Sequence, residues 1–200
     1  QKRSCYNEAK RGDTTMTRIN KGDTFPVFEF STAYEDGLNS KEVLKGKTIF
    51  WVLRYIGCTV CRYDVHKIAE RYPEFTAQNA QVFVIMQSDR RHVQDNLSAT
   101  DTVLPFEIIT DPEQKIYDLL SVPAAASREE LAADAVRLTE KRNQAIAHGF
   151  SHGDYEGNEL QLPAMFVVGE NAEILYARYA SDITDLPDVD ELLKILAGLG

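Results

Sequence analysis

Two cysteines three residues apart, Cys58 and Cys61, are the residues best suited to chemistry in this chain of 200 residues. They stand in "RYIGCTVCRYD", residues 54 to 64, directly after the apolar run "TIFWVLRY" of residues 48 to 55. Such a pair can cycle between dithiol and disulfide, supply half of a zinc site, or remain as two reduced thiols without a catalytic role. The companions of the pair separate these readings. His66 lies five residues past Cys61, on a different face of the helix that follows, and no second Cys-x-x-C completes four ligands, so no metal is expected. His148 and His152 form an H-x3-H pair, but in a Gly-containing polar stretch that reads as a solvated loop. His92, behind Arg90 and Arg91, reads as part of a solvated helix start. Hydrolysis through a Cys-His nucleophile fails for want of a third, orienting group. Redox chemistry is the reading left with support.

That chemistry depends on where the cysteines sit. A buried strand running into the motif, with a helix starting at it, places Cys58 at the helix N-terminus. There the unpaired N–H groups and the helix dipole favour the thiolate, lowering a cysteine pKa from about 8.5 into the range of roughly 3.5–7.5. Arg54 and Arg62 add nearby positive charge of the helpful sign. Cys58 is then the exposed nucleophile. Cys61, inside the first turn, is the resolving thiol that attacks the mixed disulfide.

The surrounding elements are readable from apolar spacing. "TIFWVLRY", "AQVFVIMQSD" (80 to 89) and "LPFEIITD" (104 to 111) are apolar on both faces, as central strands of a doubly covered sheet must be. Helices are predicted after each. The first carries Cys61, Val65, Ile68, Ala69 and Tyr72 on one stripe and ends or kinks at Pro73. The third is "DPEQKIYDLL", with Asp111 as cap and Pro112 at the first helical position. "TFPVFEF" (24 to 30) contains Pro26 and suits an edge strand. Residues 124 to 160 interrupt the alternation. Ser127 and Glu130 form a capping-box pattern that opens one inserted helix ending at Gly149, followed by the polar loop "SHGDYEGNEL". "PAMFVVG" and "EILYARYA" around "GENA" predict a hairpin, and "DLPDVDELLKILAGLG" an amphipathic terminal helix. The fold class is therefore α/β, with one domain spanning residues 16 to 200 and an insertion at 124 to 160.

Bulk composition narrows the function. A formal net charge of −9 argues against nucleic acid or anionic membrane as the main partner, and no apolar run approaches the ~20 residues of a membrane span. Three cysteines cannot pair completely. Cys5 lies in a charged, aperiodic segment, and residues 1 to 15 read as a disordered extension ahead of Met16. No cofactor is called for. The expected location is the cytoplasm, a leader cleaved ahead of Gln1 being the alternative.

The chain resembles the thioredoxin-like superfamily, specifically its redoxin branch: the alkyl hydroperoxide reductase and thiol-specific antioxidant (peroxiredoxin) proteins and their Cys-x-x-C relatives. The resemblance spans about residues 22 to 199 and rests on "GDTFPVFEF", "LKGKTIFWVLRYIGCTVCR", "VFVIMQSD", "ITDPEQKIYDLL" and "LPAMFVVGENAEILY". It implies a thioredoxin-like fold: a central mixed sheet of about five strands with helices on both faces. It also implies a cis peptide bond before Pro163, with the Leu162 backbone placed to pair with an extended substrate beside the cysteines. The departures matter equally. If Cys61 is set on the peroxidatic cysteine, Cys58 and Arg54 stand where P-x-x-x-T-x-x-C has its Thr and Pro, and Pro163 replaces the peroxide-orienting Arg. Against thioredoxin, Gly57 replaces the Trp before the motif and Val52 the buried acid. The implied function is a thiol-disulfide oxidoreductase or peroxiredoxin-like protein acting on protein or small-molecule thiols and disulfides. A thiol peroxidase using Cys61 or Cys58 is the alternative, and a non-catalytic binding module the alternative of another class. A dimer is compatible with the sequence.

Overall fold

The computed structural model describes residues 17–199. The extension 1 to 15, with Cys5, lies outside the described residues. The chain opens with two short strands, β1 (Glu29–Phe30) and β2 (Leu38–Asn39), which pair antiparallel. Strand β3 (Lys47–Val52) runs to the cysteine motif and is followed by α1 (Thr59–Glu70) and α2 (Tyr72–Ala77). Pro73 sits at the start of α2, so it divides the predicted helix in two. Next come β4 (Ala80–Met86), α3 (Arg90–Ala99), β5 (Glu107–Thr110) and α4 (Lys115–Leu119). The predicted inserted helix is in fact two: α5 (Arg128–Leu131) and α6 (Ala135–Ala147). The hairpin β6 (Ala164–Val168) and β7 (Ile174–Tyr179) and the helix α7 (Val189–Ala197) complete the chain.

Five strands form one sheet in the order β5-β4-β3-β6-β7. β3, β4 and β5 are mutually parallel, as their connecting helices require, while β6 runs antiparallel to β3 and pairs antiparallel with β7. The pleat sends alternate residues to opposite faces. Ile49 and Trp51 enter a core with Val65 and Ile68 of α1 and Leu192 and Leu196 of α7. Phe50 and Val52 enter a second core with Phe25, Phe28, Phe30 and the α4 residues Ile116 and Tyr117. Both faces of β3 are therefore buried, which is why its sequence is continuously apolar.

Two cap predictions change. Asp111 does accept from the backbone N–H groups of Lys115, Ile116 and Tyr117, but α4 begins only at Lys115. Pro112 lies in the turn before it, and Gln114 enters the helix from a left-handed φ of 56°. In the insertion, Ser127 Oγ accepts from Glu130 N–H as expected, whereas the Glu130 carboxylate turns to the N–H of Ala126. A separate cap, Asp134, accepts from Arg137 N–H and starts α6 as its own helix. The ends of the inserted segment meet, because Ala124 and Gln161 form an antiparallel bridge. Among the described residues no helix is long and apolar enough to cross a membrane.

Candidate active site around Cys58 and Cys61

β3 ends at Val52, and six residues later Cys58 takes the N-cap position of α1 with an extended backbone. The side chain makes no capping bond, so the first N–H groups of the helix are left to act on its sulfur. Cys61 follows in the first turn, and its Sγ lies 2.7 Å from Cys58 Sγ. The two are free thiols, within reach of a disulfide but not joined. The Arg54 guanidinium stands against the pair, with Nη1 3.7 Å from Cys58 Sγ. Its Nη2 donates to the Glu159 carbonyl, and its Cζ lies 5.0 Å from the Tyr55 ring centre. Arg54 is 7% exposed and touches no carboxylate, so the nearest anion it can neutralise is a Cys58 thiolate.

The electrostatics separate the two sulfurs. Burial pushes the Cys58 thiol up, but the hydrogen bond from Cys61, the charge of Arg54 and the Cys61 backbone N–H outweigh it and bring the pKa down to about 7. Cys61 is driven well above the ordinary range, by its own burial, by its role as donor to Cys58 and by the Cys58 charge. One thiolate and one thiol thus share a proton-asymmetric pair, titrating as a unit. Arg62, the other predicted stabiliser, makes no hydrogen bond to the sulfurs. Its guanidinium lies 5.7 Å from the Phe150 ring centre, and it acts on Cys58 only through its field.

Cys58 is not exposed on the surface: it is 2% accessible and Cys61 3%. Access runs instead through a cavity of about 680 Å³, lined by Cys58, Arg54 and Tyr55 on one side and by residues of α5, α6 and the loop after them on the other. No cis peptide bond occurs among the described residues, so the bond before Pro163 is trans. The Leu162 backbone is not free to pair with a substrate. Its N–H donates to Pro123 O at 3.2 Å, and its carbonyl accepts from Gln161 Nε2 at 3.1 Å. Leu162 and Pro163 are buried and are not among the residues lining the cavity. The position of the missing buried acid, Val52, is filled by an apolar side chain wholly inside the second core.

Gly57 has a plain structural reason. A Cβ there would stand 2.0 Å from the Asp154 carbonyl oxygen, because the loop after α6 packs directly on it and Gly153 N–H donates to Gly57 O at 2.8 Å. The loop is exposed, as its polar composition predicts, and it also builds the rim of the site. His152 Nε2 lies 3.2 Å from Tyr55 OH, and its ring packs at a tilt against Tyr155, with ring centres 4.3 Å apart. His148 packs on Tyr63 instead, so the H-x3-H pair does not converge. The loop is pinned from below by Glu156, which accepts from Ser88 Oγ at 2.8 Å and lies 3.3 Å from His92 Nδ1. His92 Nδ1 is also 2.8 Å from Asp89. Lys141 of α6 binds Asp64 of α1 at 2.7 Å and holds the insertion over the motif. His152, Tyr155 and Glu156 share one sequence signal, a run of His, Tyr and Glu within a Gly-containing loop, whose meaning depends on contacts roughly 70 to 100 residues away.

Residues 21–177 match the family model described as the AhpC/TSA family. The chain belongs to that family. Solved structures agree on the fold. Mycobacterium tuberculosis AhpC superposes with a TM-score of 0.65 at 16% identity, covering 92% of this chain and 94% of that one. A peroxiredoxin-like protein from Aquifex aeolicus gives 0.63 at 13% identity, covering 92% and 90%. A putative thiol:disulfide interchange protein DsbE from Chlorobium tepidum gives 0.59 at 16% identity, covering 91% and 99%. No curated protein sequence matches the chain. The fold is thioredoxin-like, in the redoxin branch, and thiol-based redox function is the family's province.

Proposed function

We propose that this member of the AhpC/TSA family is a thiol-disulfide oxidoreductase in which Cys58 is the nucleophile and Cys61 the resolving thiol. One observation carries the reading: the two sulfurs lie 2.7 Å apart at a helix N-terminus, with the Arg54 guanidinium against Cys58 and not Cys61. The Cys58 thiolate attacks one sulfur of a disulfide RSSR, forming a Cys58–S–S–R mixed disulfide and expelling RS⁻. Cys61 then gives up its proton to solvent and attacks Cys58 Sγ, closing the 58–61 disulfide and releasing the second RS⁻. The dithiol is oxidised by two electrons and RSSR is reduced to two thiols. The high pKa of Cys61 keeps it protonated, as donor to Cys58, until the first bond has formed.

A peroxidase reading draws on the same Arg54–Cys58 contact and on the family. The Cys58 thiolate would attack a hydroperoxide ROOH, giving Cys58–SOH and ROH, and Cys61 would condense with the sulfenic acid to a disulfide and water. A Cys5→Ser background leaves two reacting thiols for the test. Redox titration against glutathione should reveal a 58–61 disulfide, and Cys61→Ser should trap a mixed disulfide on Cys58 by mass. Rapid peroxide consumption with a sulfenic acid persisting in Cys61→Ser would put the peroxidase first. The absence of any titratable disulfide or reactive thiol would leave a binding module.

A further inference from the structure

The cavity over Cys58 has a chemical bias that the cysteine chemistry alone does not require. Three guanidinium groups line it, those of Arg54, Arg128 and Arg142, against one carboxylate, Glu159. This runs against a chain whose formal net charge is −9. Glu159 is committed to Arg128, at 2.9 Å. Arg142, exposed on α6, has no ion-pair partner among the described residues. Arg54 is more than nine-tenths buried, and its Nε has no acceptor. The rest of the lining is largely apolar, with Leu138, Ile146 and Phe150 on the insertion side. A volume of about 680 Å³ falls within the range of small-molecule sites, roughly 300–1,000 Å³. A peptide strand is not the natural occupant, since the Leu162 backbone is already paired within the chain.

We infer that the cavity selects a low-molecular-weight disulfide bearing carboxylates, seated with an acidic group toward Arg142 and one sulfur against Cys58. The inference rests on the oxidoreductase reading and names its substrate class. The reaction is the two-electron exchange written above: the reduced protein supplies both electrons, and the disulfide leaves as two carboxylate-bearing thiols. Arg54 loses its thiolate counter-ion as Cys58 enters the mixed disulfide.

The test is single-turnover stopped flow with the reduced full chain in a Cys5→Ser background. The probes are glutathione disulfide (anionic), cystamine (cationic) and 2,2′-dithiodipyridine (neutral). Each rate is divided by that disulfide's rate with 2-mercaptoethanol at the same pH, which removes intrinsic leaving-group differences. At low ionic strength the normalised preference for the anion over the cation is expected to be on the order of tenfold. It should collapse in high salt and fall several-fold in Arg142→Glu, while Arg142→Lys, which keeps the charge, retains it. The chain's overall field would favour the cation, so an anionic preference has to be local. A normalised ratio at or below one, or a preference indifferent to salt and to Arg142→Glu, overturns the inference while reaction with dithiodipyridine leaves the redox reading standing. A protein inert to all three disulfides overturns both.

Discussion

Replacing Arg54 with Gln tests the electrostatic design of the site most directly. The guanidinium Nη1 lies 3.7 Å from Cys58 Sγ in a buried setting. At an effective dielectric constant of ~20, unit charges at that separation attract by ~4 kcal/mol, equivalent to ~3 pKa units as a ceiling. Burial of the thiolate, the Cys61 hydrogen bond and the helix N–H groups all remain in the variant, and water fills part of the vacated space. A rise of about 1.5 units from the present value of about 7 is therefore expected. At neutral pH the thiolate fraction would fall about fifteenfold. The more basic sulfur is also the better nucleophile, which returns about fourfold with a Brønsted slope near 0.4, leaving about a fourfold slower reaction. The assay is the pH profile of iodoacetamide alkylation at Cys58, read by mass spectrometry in a Cys5→Ser background, with circular dichroism to confirm folding. Arg54→Lys should fall between, keeping a charge but losing the fork that also reaches the Glu159 carbonyl. A folded Arg54→Gln whose alkylation midpoint stays near that of the parent would refute the assignment of Arg54 as counter-ion.

Gly57→Ala places a methyl against the Asp154 carbonyl at 2.0 Å, so the backbone on one side must move. A loss of ~1–3 kcal/mol and faster amide exchange at residues 153–158 are expected, and unchanged exchange would contradict the packing described. Lys141→Met strands the Asp64 carboxylate, whose pKa burial already raises, between α1 and α6. Because both side chains keep about a fifth of their exposure, a loss of ~1–3 kcal/mol by chemical denaturation is expected, largely recovered in Lys141→Met/Asp64→Asn. His92 provides the pH test. The hydrogen bond to Asp89 outweighs partial burial, and Glu156 and Asp154 act in the same direction, so its folded pKa lies above 6.5. Its contribution is complete below the unfolded value and is lost as pH rises through the folded one. Exchange protection of the 153–158 loop should decline as pH rises above about 6.5 in the parent and show no such step in His92→Gln.

The parts of the fold legible in the sequence were those with local causes. β3 and β4 declared themselves because a strand covered on both faces has no polar side to show, and the hairpin because "GENA" has the composition of a turn. Cys58 at a helix N-terminus followed from strand, motif and apolar stripe in succession. Boundaries were less legible where two signals competed. Asp134 looked like one more polar residue of a long helix but acts as a second cap, and Gln114 takes a left-handed conformation that its residue type does not announce. The site's enclosure could not be read at all. Whether Cys58 is open or covered depends on Arg54 meeting Glu159, Tyr55 meeting His152 and Gly57 meeting Gly153, each across roughly a hundred residues. The resemblance to thioredoxins carried over the motif's position but not the cis bond at Pro163 or a free Leu162 edge.

If the proposed oxidoreductase function holds, the pairing of that edge would act as a sieve. Residues 123 to 125 lie along residues 160 to 162 as a fragment of strand, through Leu162 N–H to Pro123 O at 3.2 Å and Ala125 N–H to Leu160 O at 2.8 Å. A large folded client wishing to lay its own backbone there must first expel this stand-in, giving up bonds worth ~1 kcal/mol each before gaining any of its own. A molecule small enough to enter the cavity meets no such toll. Under the proposed oxidoreductase function, discrimination by size would be set by the chain's own backbone, independently of the charge on the cavity wall.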